Sequence, residues 1–310
     1  MTDHAREVTP DTPQTIDAVP LRHPWRWLAA FVLLLLVALF LFGAATNPAY
    51  GWSTYAKYLF DERISQAAWR TLELTLLSML LAIALGVLLA MMRLSPNPVF
   101  KAVAWVYLWI FRGTPVYVQL VFWGLLPVIY QDIRIGVPFG PTWFHITPDE
   151  WAFPFVLAVI GLGLNEAAYM AEIIRAGIAS VPEGQMEASK ALGMSWLMAM
   201  RRTVLPQAMR VIIPPTGNEF ISMLKTTSLV VAVPYSLELY SRARDIAVGH
   251  YQTIPMLLVA STWYLAMTTI LMIGQYYLER YYSRGASRKL TTKQLQNLAD
   301  AQLRTGAGGA

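Results

Sequence analysis

Residues 72–92 read LELTLLSMLLAIALGVLLAMM, with one charged side chain, Glu73, and no proline. A helix of about 20 such residues rises about 30 Å, the thickness of a bilayer's hydrocarbon core. Outward from it, further apolar runs lie at 25–45, 99–130, 151–174, 212–234 and 255–277. The expected fold is an all-α membrane protein with about six transmembrane helices. The 212–234 run is the most interrupted, by Asn218, Glu219 and Lys225. Composition agrees, because 56% of the 310 residues are hydrophobic and only 14% are charged, where a soluble domain carries roughly 25% charged residues. The chain has no cysteine, which excludes disulfides, thiol nucleophiles and Cys-ligated zinc. His4, His23, His145 and His250 are too scattered in sequence to suggest a metal site. The net charge of +5 is assigned to membrane-flanking loops rather than to nucleic-acid binding.

The basic residues set the expected orientation. Arg22 and Arg26 precede the first run; Arg93 and Lys101 follow the second. Arg175, Lys190, Arg201, Arg202 and Arg210 lie between the fourth and fifth, and Arg280, Arg284 and Arg288 lie beyond the sixth. With that number of spans all of these fall on one side, so both termini are expected in the cytosol. Residues 1–24 read as a disordered cytosolic tail, 25–46 as a retained N-terminal transmembrane helix, and 283–310 as a cytosolic tail. The outer stretch 131–150 is rich in Gly, Pro and aromatic residues. It reads as a short cap or re-entrant segment with Trp143 and Phe144 at the interface.

The longest cytosolic insertion begins ASVPEGQMEASKALGMSWLMAMRRTVLPQAMR at Ala179. Ser180 and Glu183 have the spacing of a capping box, which would start a helix. Gly193 would end that helix, and Ser195 would cap a second one running to Pro206. The first helix carries Ala188, Ala191 and Leu192 at helical spacing beside Glu187 and Lys190. A small-residue face suits docking into a groove on a partner, and it equally suits a helix lying on the membrane surface.

The order Glu187-Ala188-Ser189, Gly193, Val204-Leu205-Pro206 resembles the EAA loop of ABC importer permeases, with Ser189 in place of the second alanine. Phe111-Arg112-Gly113-Thr114-Pro115 resembles the signature of the polar amino-acid subfamily, whose members carry His, Glu, Gln, Arg or opines. Ala168-Tyr169-Met170-Ala171-Glu172-Ile173-Ile174-Arg175 and Leu224-Lys225-Thr226-Thr227-Ser228-Leu229 continue the likeness. Thr226 stands where the family commonly has Asp or Asn. The resemblance spans residues 66–282 and implies a type I ABC importer permease domain with its coupling loop at 179–208. It implies ATPase-coupling roles for Glu187, Ala188, Ser189, Ala191, Leu192, Gly193 and Pro206. It also implies a bacterial inner-membrane subunit that works with a second permease subunit, a copy or a paralogue. A cytosolic ATPase dimer and an extracytoplasmic amino-acid-binding protein are the other partners, and closure of the ATPases would rotate the helix bundles. ATP and magnesium would be held by the ATPase, because this chain has no Gly-x-x-x-x-Gly-Lys-[Ser/Thr] phosphate loop.

Polar residues inside apolar runs are the candidate pathway residues, since a charge at mid-bilayer costs about 2.5–3.5 kcal/mol on insertion scales. Arg112, Gly113, Thr114 and Pro115 break a long helix, either as a packed hinge or as a kink lining the pathway. Asn165, Tyr169 and Glu172 share a helical face that Glu166 flanks. Asn165, Glu166 and Tyr169 either meet a zwitterionic substrate or form a buried network, whereas Glu172 and Arg175 read as a structural pair. Lys225, with Thr227 and Ser228, either meets a substrate carboxylate or pairs with a glutamate on a neighbouring helix. An ion-coupled transporter would show repeated halves with matched broken helices, and an enzyme a nucleophile–base pair or metal ligands. The sequence presents neither pattern clearly.

Overall fold

The computed structural model of the chain describes residues 24–130, 133–137, 140–146 and 153–282. The tails expected at 1–24 and 283–310 lie outside the described residues, apart from Pro24, as does much of the 131–150 stretch. An N-terminal unit holds α1 (Pro24–Thr46), the expected first span, followed by a 3-10 turn at Pro48–Tyr50. None of the residues of α1 is buried against protein.

The second unit begins at Gly51. Its helices are α2 (Trp52–Leu59), α3 (Glu62–Leu94), α4 (Pro98–Gly113), α5 (Val116–Ile129), α6 (Pro154–Ala179), α7 (Glu183–Ala191) and α8 (Trp196–Ala199). A π-helical turn (Met200–Val204) leads into α9 (Leu205–Thr226) and a 3-10 turn (Thr227–Ala232). The helices α10 (Leu239–His250) and α11 (Thr253–Tyr282) close the unit. Between α5 and α6 the backbone forms a two-stranded antiparallel hairpin, β1 (Ile133–Gly136) and β2 (Thr142–Ile146), so the all-α expectation gains one small sheet. Among the described residues, α1, α3, α6 and α11 are both long and apolar enough to cross a membrane.

Local chemistry sets the helix starts. The Asp61 carboxylate accepts from Arg63 N at 2.9 Å at the head of α3, and Asn97 Oδ1 accepts from Val99 N at 2.9 Å at the head of α4, where Pro98 fills the first position. The Asp61 cap lets α3 begin ten residues ahead of the expected span at 72, since it satisfies the first backbone donors outside the apolar run. The fifth span also shifts: its helix begins at Leu205, not 212, and gives way to the 3-10 turn after Thr226, not after 234.

The unit has an apolar core but also exposes many large apolar side chains that a soluble protein would bury. On α3, Thr71, Thr75, Ser78, Ala82 and Gly86 face inward while Leu76, Leu77, Leu80 and Leu88 face outward. Small inward residues let helices approach closely, where lipid gives no hydrophobic drive between them. A β-carbon on Gly86 would stand 2.6 Å from Met170 Cβ of α6, so only glycine admits this crossing. Glu238 is fully buried and ties three helices together. It caps α10 by accepting from Ser241 N at 3.0 Å, accepts from Thr71 Oγ1 of α3 at 3.3 Å, and accepts from the Tyr264 hydroxyl of α11.

Candidate functional site

The helix α7 ends as its sequence dictates. Gly193 takes φ +76°, its N–H donates to Lys190 O at 2.9 Å, and Met194 N donates to Ser189 O at 3.1 Å. This pairing is a Schellman motif, which satisfies the last carbonyls of a helix. Ser195 then caps α8, its Oγ accepting from Met198 N at 3.4 Å. The capping box expected at Ser180 and Glu183 does not form. The helix α6 runs on to Ala179, and Ser180 closes it in helical geometry with its Oγ donating to Gly177 O at 2.7 Å. Pro182 therefore precedes α7 without any side-chain cap.

The second helix of the loop does not stop at Pro206. It widens into the π turn, where Leu205 N donates five residues back to Met200 O, and continues as α9. Pro206 lacks an N–H and its ring crowds the carbonyl four residues earlier, so the widened turn carries the chain past it. The short helix thus joins directly onto a long polar-interrupted one.

On α7 the sides are unequal. Glu187, Ala188, Lys190, Ala191, Leu192 and Gly193 are exposed, as is Pro206 on α9. Leu192 is 79% exposed, a bare apolar side chain at the tip of the loop. Ser189 points the other way: it is buried and its Oγ meets Thr203 Oγ1 at 3.0 Å. The residue that departs from the EAA pattern therefore fastens α7 to the π turn rather than facing outward.

The break between α4 and α5 is held from two sides. Thr114 and Pro115 are extended, and Pro115 cannot donate to Phe111 O. Gln119 Nε2 donates to Phe111 O at 3.0 Å, to Thr114 O at 3.1 Å and to Thr114 Oγ1 at 2.7 Å. Asn165 Nδ2 of α6 donates to the same Phe111 O at 3.0 Å and to Gln119 Oε1 at 3.1 Å. Ala104 and Leu108 pack with Ala167 and Ala171, whereas Leu120 packs beside Gly161, so α4 and α5 run along α6 as one broken span. Asn165 is committed to that clasp.

The remaining stripe on α6 divides. The guanidinium of Arg112 lies 5.4 Å from the ring centre of Tyr169, a cation–π contact. Glu172 bridges Arg175 at 2.7 Å and Arg93 of α3 at 3.5 Å, the structural pair expected plus a partner on another helix. Glu166 differs from both. It is buried, its Oε1 has no hydrogen-bond partner among the described residues, and it lies within electrostatic reach of Glu219 on α9.

At the end of α9, Lys225 is exposed and forms no ion pair among the described residues. Thr227 Oγ1 donates to Leu224 O and Ser228 Oγ to Lys225 O, at 2.7 and 2.8 Å, so both hydroxyls are taken up where the helix tightens. Reading from sequence missed Gln119, Thr203 and the burial of Glu238. Gln119 carried one usable signal, a side chain with both a donor and an acceptor four residues after a helix-breaking proline.

Residues 82–284 match the family of binding-protein-dependent transport system inner membrane components. The arginine transport system permease protein ArgU of Corynebacterium glutamicum is 63% identical over 94% of this chain and 90% of its own length. The nopaline transport system permease protein NocM of Agrobacterium fabrum is 35% identical over 64% of this chain and 79% of its own. A solved amino acid ABC transporter with histidines superposes with a TM-score of 0.60 at 32% identity, covering 74% of this chain and 97% of that one. The EAA-like loop, the broken third span and these matches agree, and the chain belongs to the binding-protein-dependent inner-membrane components as a permease subunit of the amino-acid ABC importers.

Proposed function

We propose that this permease carries cationic amino acids, with arginine as its principal substrate. The observation that carries the reading is Glu166, a buried carboxyl group with an unpartnered oxygen, within electrostatic reach of a second carboxyl group at Glu219. Buried acids in a membrane bundle are costly unless a cation meets them, and a guanidinium offers planar, charge-assisted donors to such a pair. The name of the 63% identical relative, an arginine permease, supports the same substrate. Tyr169 flanks Glu166, and Lys225 supplies a positive group for the substrate carboxylate beside the helix end shaped by Thr227 and Ser228.

In this reading residues 66–282 form the permease domain, and both termini lie in the cytosol. The exposed face of α7, with Glu187, Ala188, Ala191, Leu192 and Gly193, docks into a separate ATPase dimer that binds ATP and magnesium. A binding protein delivers substrate on the other side, and a second permease subunit completes the pore. The test is uptake into proteoliposomes holding the full importer, with unlabelled competitors. Arginine and lysine should compete, glutamine and cystine should not, and Glu166→Gln should erase that discrimination. Equal competition by glutamine would overturn the cationic assignment.

A further inference from the structure

An apolar groove of about 860 Å³ opens between α3, α6, the π turn and α9. Val87, Met91, Phe100, Trp196, Met200 and Met209 are among its walls. No acidic residue lines it, and none stands next to a lining residue in sequence. Basic residues do: Arg93 lies between Met92 and Leu94, Lys101 follows Phe100, Arg175 follows Ile174, Arg201 follows Met200 and Arg210 follows Met209. Arg93 and Arg175 are paired with Glu172, which leaves Lys101, Arg201 and Arg210 exposed, and Arg202 is exposed beside Arg201. The groove therefore combines apolar, methionine-rich walls, which adapt to a flexible chain, with neighbouring charges that are basic wherever they are unpaired among the described residues. Trp196 and the four basic residues are the types that settle at a bilayer's polar boundary.

We propose that this groove binds an anionic phospholipid, with an acyl chain along α3 and α9 and the phosphate against Arg201, Arg202, Arg210 and Lys101. A neutral apolar partner would leave that charge unanswered, and a soluble anion would leave the groove walls uncovered. The site joins the π turn to the span behind it, so the lipid would brace the segment that carries α7. The proposal needs only that the chain sits in a membrane and is independent of which amino acid is carried.

The test uses the intact permease–ATPase complex, exchanged into nanodiscs of dioleoyl phosphatidylcholine with an equal share of dioleoyl phosphatidylglycerol. Lipid retained on the released complex is counted by native mass spectrometry. Phosphatidylglycerol should be retained in preference, and R201Q/R210Q should cut that preference by roughly fivefold for each charge removed. Val87→Trp with Met209→Trp should fill the groove and remove retained lipid of both kinds. Glycerol phosphate, which has no acyl chain, should not compete. Because the chain has no cysteine, Met209→Cys gives a single reactive site. Disulfide linkage of two copies through it would place a second permease in the groove and overturn the proposal. Equal retention of the two lipids by the wild type, or unchanged preference in R201Q/R210Q, would overturn it as well.

Discussion

The helical path is interrupted at Gly193 and again at Thr114–Pro115, by opposite means. At Gly193 the left-handed residue and two backbone hydrogen bonds close the helix within its own last turn. Thr114–Pro115 relies on borrowed groups instead: Gln119 reaches back from the next helix, and Asn165 reaches across from α6, 54 residues further along the chain. The first is a self-contained turn on an exposed element, which can move as a unit with whatever docks on it. The second welds α4 and α5 to α6, so that the broken span and the stripe bearing Glu166 move together. Under the docking role proposed for α7, the two serve different ends: a lever with a stiff tip, and a bundle that transmits motion without coming apart.

The largest effect is expected where the clasp is removed. Replacing Gln119 and Asn165 together by leucine removes both side-chain donors to the half-buried Phe111 O, at up to about 1–3 kcal/mol for an acceptor left unpaired, together with the bonds to the exposed Thr114. Thermal unfolding of the detergent-solubilised permease should drop well below either single variant. The single variants should be non-additive, because each leaves the other donating to Phe111 O. Additive single effects would show that the two amides do not share one carbonyl.

Next in size is Gly193→Val. A β-branched residue at φ +76° carries a backbone penalty of about 1–2 kcal/mol. No atom lies within 4 Å of the position a β-carbon would take, so the penalty is conformational rather than steric. The permease should stay folded in the membrane while the ATPase no longer co-purifies. Full ATPase recovery would break the comparison, since the turn would then not set the docking face.

Those two interruptions also mark what the sequence could disclose. The Gly193 turn and the Ser195 cap were legible because both depend on residues within a few positions. The clasp was not: the sequence leaves Asn165 between a substrate contact and a buried network, because a polar side chain on an apolar helix has the same appearance whether it faces a ligand or a carbonyl. The capping box misled for a related reason. Its residues were in register, but α6 ran on to Ala179 and Ser180 closed it, so the serine hydroxyl donates back to Gly177 O instead of capping the next helix. The spans at α1, α3, α6 and α11 were legible because apolar length is a property of each segment alone, whereas the fifth, interrupted by polar residues, was displaced from its apolar run.

A smaller structural effect is expected from Glu187→Arg. Glu187 is exposed, so folding stability should be unchanged to within about 0.5 kcal/mol, as for most surface changes. Coupling should nonetheless fail, because the reversed charge borders the exposed face formed by Ala188, Ala191 and Leu192. The readout is ATPase activity with and without substrate-loaded binding protein. Stimulation at the wild-type level would remove Glu187 from the docking surface and leave Leu192 and the alanines to carry it.

The smallest effect on coupling is expected from Ser189→Ala, which sharpens the comparison by separating the lever's tip from its root. The serine hydroxyl is buried, donates to Gln185 O at 2.8 Å and meets Thr203 Oγ1 at 3.0 Å. Removing it deletes one hydrogen bond between α7 and the π turn, worth about 0.5–1.5 kcal/mol. The Gln185 carbonyl keeps its place in the helix, and Thr203 is only half-buried, so its hydroxyl has water within reach. The Schellman turn does not use the side chain at all, because Ser189 contributes only its carbonyl to Met194 N. Alanine should therefore leave the docking face in position and ATPase co-purification intact, while hydrogen exchange in residues 200–204 rises as the π turn loses its brace. If exchange there is unchanged, Ser189 is a packing residue only. If co-purification falls as far as it does in Gly193→Val, the root of α7 rather than its turn governs docking, and the contrast between a self-contained tip and a borrowed clasp gives way to two clasps of the same kind.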